Sequence, residues 1–160
     1  MPDETLQAQL VEAWMTNHRI NVKLLEAISD EGLTATLSTR GGRDVARQFA
    51  HLHNVRVRHL EKRAKDLAEG LETFESKYSP PKAELLAALE ASTEAIATFL
   101  VDVLEGVPKR RGFKRGVFTT LAYLVSHESH HRGSILLTLK QCKQMPDKDV
   151  TYGIWAWDQV

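Results

Sequence analysis

Residues 79–108, SPPKAELLAALEASTEAIATFLVDVLEGVP, decide the fold class. Pro80 and Pro81 suit the first turn of a helix, where the missing proline N–H has no intrahelical partner to lose. Leu85, Leu89, Ile96, Leu100 and Val103 then fall on one stripe at 100° per residue. Gly106 and Pro108 stop the pattern. The stretch predicts a long amphipathic helix ending near Glu105, and a helix with one apolar stripe needs partners to cover it.

The rest of the chain supplies them. Residues 3–28 place Leu6, Leu10, Trp14, Asn21, Leu25 and Ile28 on one face. A second segment runs from residue 43 or 44 to about residue 68 with Val45, Phe49, Leu52, Leu60 and Leu67 inward. Asp44 is its expected N-cap and Gly70 its expected stop. The fourth helical segment covers about residues 117–141, with Leu121, Leu124, Val125, Ile135 and Leu139 inward. No segment alternates like a strand. The expectation is an all-α protein, a four-helix bundle in a single domain over residues 1–160. The connections at 29–42, 69–80 and 106–116 leave room for crossovers as well as hairpins. Trp155 and Trp157 in the tail are expected to pack back on the bundle, because two exposed indoles would leave a large apolar area in water.

Composition narrows the function. Among 160 residues, 21 basic side chains balance 21 acidic ones, so the electrostatic footprint of a nucleic-acid binder is missing. Lys109–Arg115 is the strongest basic cluster and reads as a solvated loop. No apolar run has the length of a membrane span. Cys142 is a lone cysteine, and the opening MPDETLQAQL has no signal-peptide core, which together point to a reducing, cytoplasmic setting.

Seven histidines are the unusual feature, three of them within residues 127–131. In SHESHHRG, His127 and His131 stand four apart on one side of a helix, the spacing two imidazoles need to reach one metal ion. His130 points elsewhere. A catalytic site of this kind usually takes three protein ligands and leaves a position open. The second helix offers His51, His53 and His59. Periodicity places His53 and His59 in or beside the apolar face and His51 just outside it, so spacing alone does not select the third ligand.

Other residues near this cluster have expected roles. Glu128 falls on the apolar face of its helix, with Arg132 at the spacing of an i,i+4 salt bridge. Such a carboxylate either fixes helix packing or, as a catalytic group, supports the ligands and carries a proton. Residues 127–131 also satisfy the H-E-x-x-H pattern of zinc peptidases. The extended form fails because Gly133 comes one residue early and no histidine follows His131. His18 and Asn21 project from the apolar side of the first helix, toward an expected pocket lined by Trp14, Trp155 and Trp157.

GGRDVARQFAHLHNVRVRHLE, then HESHHRGSILLTLK from residue 127, then YGIWAWD, resembles the DinB-like (damage-inducible B) family over nearly the whole chain. The resemblance implies a four-helix bundle with a long crossover connection, a homodimer and a divalent metal held by three histidines. Position by position, it puts the ligands at His51, His127 and His131; Ser134 replaces the glutamine usual after Arg-Gly. Imidazole ligands suit zinc, nickel or iron. Relatives resemble thiol-dependent transferases and isomerases, or hydrolases, so the implied function is a metal-dependent S-transferase or hydrolase acting on a small thiol or electrophile. The alternative is a non-catalytic metal-binding stress-response module acting as a dimer. A zinc peptidase ranks last.

Overall fold

The computed structural model describes residues 4–160; residue 3, where the first helix was expected to begin, lies outside them. Four long helices form where the apolar periodicity placed them: α1 (Glu4–Ala27), α3 (Val45–Arg63), α4 (Lys82–Glu105) and α5 (Val117–Gln141). A short α2 (Asp30–Leu33) interrupts the first connection, and α6 (Lys148–Gly153) lies in the tail. Among the described residues there are no strands, only an isolated bridge between Phe113 and Gly116. Among the described residues, no helix is long and apolar enough to cross a membrane.

The ends follow local chemistry. Asp44 caps α3 by accepting the Arg47 N–H at 2.8 Å. Gly106 closes α4 in the left-handed conformation, at φ 71°, and its N–H returns to the last turn. The second helix ends earlier than expected, at Arg63 rather than near residue 68. Ala64 leaves helical geometry at φ −159°, and residues 65–68 form a 3-10 turn that tucks Ala68 against the core.

The core has two apolar halves. One joins Leu24, Leu25 and Ile28 to Val45, Phe49 and Leu52, then to Leu85, Leu89, Ile135 and Leu139. The other joins Leu10 and Trp14 to Leu60, Ile96, Phe99, Leu100, Leu121 and Leu124. Each fully buried aliphatic or aromatic side chain contributes about 1.5–3 kcal/mol of transfer free energy. The order in which each helix visits the halves makes α1 parallel to α5, and α3 parallel to α4. The α3–α4 connection, residues 64–81, must therefore return along the bundle: this is the long crossover. It runs back over α3, where Glu72, Phe74 and Ser76 accept from His53, Asn54 and Arg47 in turn.

The tail corrects an expectation. Ile154, not a tryptophan, enters the core. Trp155 stays 74% exposed and Trp157 44%. Both rings instead rim a shallow hollow with Ile20, Arg132 and Leu136.

Candidate metal centre

Between the two apolar halves lies a polar layer, and the histidine cluster stands beside it. His127 and His131 occupy successive turns of α5, and His51 reaches them from the α3 side of the seam. One ring nitrogen from each of the three lies within 4.8 Å of the others. Ring centroids are 5.5 Å apart for His51 and His127, 4.6 Å for His51 and His131, and 4.7 Å for His127 and His131. All three side chains are half-buried. Two bonds of ~2.0–2.1 Å at a tetrahedral angle set their nitrogens ~3.3 Å apart, so donors within 4.8 Å of one another would draw in by up to about 1.5 Å around a zinc-sized ion.

The structure brings His51, and neither of its neighbours, to the pair. His53 is buried beneath the crossover, where its Nε2–H donates to the Glu72 carbonyl at 2.9 Å. His59 packs among Phe99, Phe113 and Tyr123. His130 is exposed and outside the group, with its ring 5.0 Å from that of His131.

The rings have the right protonation for metal binding. Burial, reinforced by Arg43, pushes His51 down to about 4. Burial and the neighbouring His127 push His131 to about 4, and burial lowers His127. Neutral imidazoles present lone pairs at neutral pH, as ligands must. Three such nitrogens leave room for a further ligand in a tetrahedral shell. The chemistry of the donors therefore fits a divalent ion of the zinc, nickel or iron kind.

The polar layer holds the two ligand-bearing helices in register. Glu128 is 1% exposed and pairs with Arg56, not with Arg132 as the i,i+4 spacing suggested. Arg56 Nε donates to Oε1 at 2.6 Å and Nη2 to Oε2 at 3.0 Å. Its Nη1 donates to the Leu89 carbonyl at 2.9 Å, and its guanidinium lies 4.8 Å from the Trp14 ring centroid. Asn17 and Asn21 each donate an amide N–H to Glu128 Oε2, at 2.6 and 2.7 Å. Their oxygens accept from Arg132, which also donates to Ser129. The amides thus stand between Glu128 and Arg132, and the layer ties together α1, α3, α4 and α5.

Burial alone would push the Glu128 carboxyl up, but the Arg56 charge and hydrogen bonds bring it below the usual carboxylate range. Both its oxygens are engaged within the core. This leaves the H-E-x-x-H reading without a free base, and no strand among the described residues offers a peptide-docking edge.

The remaining candidates do not share one pocket. Trp14 is fully buried and donates Nε1–H to the Thr93 carbonyl at 3.0 Å. His18 turns toward α4, its Nε2 2.8 Å from Glu90. Asn21 and Arg132 belong to the polar layer, and Arg132 also lines the hollow that the tail tryptophans rim. The cavity that adjoins the cluster is on the His51 side, about 210 Å³, with Phe74 and Tyr78 in its wall. On the other side, the Tyr123 ring stacks on His127 at 6.4 Å. The sequence carries a signal for Arg56 beyond the histidine spacing: one cation between Leu52 and Leu60 on an apolar stripe requires an anion on another helix, and Glu128 is the matching carboxylate.

A family model described as the DinB family matches residues 1–148. No curated protein and no solved structure matches the chain.

Proposed function

The chain belongs to the DinB family, and we propose that it is a metal-dependent enzyme, a thiol-dependent S-transferase or a hydrolase, working through a divalent ion held by His51, His127 and His131. The observation that carries this reading is the convergence of three neutral imidazole nitrogens from two helices to within 4.8 Å, beside an accessible cavity. A divalent ion there would make water or a small thiol nucleophilic near neutral pH.

The chain's own residues supply the rest. His127 and His131 are set one helical turn apart, and His51 closes the set from α3. The Arg56–Glu128 pair holds those helices in register, so Glu128 acts as a positioning residue, not as a proton carrier. Phe74 and Tyr78 give the adjoining cavity an apolar wall against which the body of a small substrate can lie. Half-burial of the cluster keeps one side open to such a substrate. A cytoplasmic homodimer completes this reading, with sedimentation equilibrium as the check on its stoichiometry.

The test is turnover. Purified protein loaded separately with zinc, nickel or iron is assayed for conjugation of small thiols to electrophiles and for hydrolysis of activated esters. The expected result is a metal-dependent rate that His127→Ala abolishes. A metal-loaded protein inert toward both substrate classes would leave the non-catalytic module as the better reading.

A further inference from the structure

We propose that the cavity on the His51 side is a recognition site for an anionic group, a carboxylate or a tetrahedral oxyanion, on the molecule that reacts at the metal centre; this rests on the metal-dependent reading above. The cavity shares His51 with the cluster, so a ligand seated in it borders the metal position. Arg43, Arg47 and Arg58 line it, against a single acidic residue, Glu75.

Their charges are not neutralised by the protein. Arg47 donates twice to the Ser76 carbonyl, at 3.0 and 2.7 Å, and once to the Gly42 carbonyl at 3.2 Å, all of them uncharged acceptors. Among the described residues, neither Arg43 nor Arg58 has a carboxylate within ion-pair distance. Other arginines of this chain do find one: Arg56 pairs with Glu128, Arg19 with Glu12, and Arg110 with both Asp66 and Asp102. Among the described residues, Arg40, Arg63, Arg111, Arg115 and Arg132 have no carboxylate within that distance either, but Arg43, Arg47 and Arg58 together line the cavity that shares His51 with the cluster.

Coulomb's law sharpens the point. A divalent cation at the three imidazoles stands beside these guanidinium groups, and like charges repel unless an anion joins them. A bound anion offsets both kinds of charge at once. The planar guanidinium fork also matches the paired oxygens of carboxylates and oxyanions. Neutral substrates gain nothing from this arrangement.

Cobalt-loaded full-length protein provides the test, through the cobalt–thiolate absorption band. The probes are 3-mercaptopropionate, 2-mercaptoethanesulfonate and the neutral 2-mercaptoethanol. At least one anionic thiol is expected to bind about tenfold more tightly than the neutral one, as charge-assisted pairing to arginine implies. Arg43→Gln with Arg58→Gln, both on exposed residues, should remove that preference and leave the affinity for 2-mercaptoethanol unchanged. The relative strength of the two anionic probes tells a planar from a tetrahedral anion. Equal affinity for all three thiols with a normal cobalt spectrum would overturn the anion site alone. A preference that survives the double substitution would belong to chelation and would overturn it too. Failure to bind cobalt at all would overturn the metal centre, and this inference with it.

Discussion

Each of the three imidazoles is a separate test of the site. His51→Ala, His127→Ala and His131→Ala are each expected to weaken zinc binding by more than about a hundredfold, because even the residues that merely orient a ligand are worth ~10–100-fold. Competition against a chromophoric chelator measures it. His130→Ala should leave affinity nearly unchanged. His53→Ala should likewise spare the metal while lowering stability, since it empties a buried position beneath the crossover. His127 and His131 were legible in the sequence because i,i+4 spacing on one helix fixes their neighbourhood. The third ligand was not legible from periodicity. A helical wheel ranks residues by how apolar their face is, whereas His51 sits at a seam between helices, and His53 is buried by a returning loop that no wheel represents. The family resemblance supplied what the wheel lacked.

Individual helices were the easiest elements to read. Proline at the start and glycine at the end bracketed α4, and Asp44 marked the start of α3. The end of α3 is not legible in the sequence, because Ala64 and the 3-10 turn answer to packing around Ala68, not to a breaker. Relations between helices were harder, since they depend on which buried charge meets which. Arg56 and Glu128 join α3 to α5, and removing one partner leaves the other charged in the core. Arg56→Met is therefore expected to cost about 3–5 kcal/mol, measured by urea unfolding of the metal-free protein. The same variant should lower metal affinity although every ligand remains, because the register between His51 and the α5 pair loosens. A stability loss below 1 kcal/mol, on the order of an exposed pair, would contradict the role assigned to the layer.

Across the molecule, one property follows from many sites. Burial is the leading cause that lowers His18, His51, His53, His59, His127 and His131 below their ordinary value of 6.5. The unfolded chain then binds more protons than the folded one as pH falls below 6.5, so stability declines with falling pH. Glu128, held below the carboxylate value of 4.5, adds a further loss in the acid range. The melting temperature of metal-free protein should be highest above about pH 7 and fall steadily toward pH 4. A flat profile across that window would contradict the burial described. The all-α class and the four long helices were visible from periodicity, while the parallel α3–α4 arrangement was not: apolar stripes say that helices pack, not in which direction.

The central claim is that three imidazoles from α3 and α5 hold one cation. Metal analysis combined with X-ray absorption at the metal edge tests it most directly on the purified full chain. The prediction is one divalent ion per chain with three imidazole nitrogens at ~2.0–2.1 Å, lost together when His51, His127 and His131 are all replaced by alanine. An ion retained by that triple variant, or a wild-type spectrum showing fewer than three imidazoles, would contradict it.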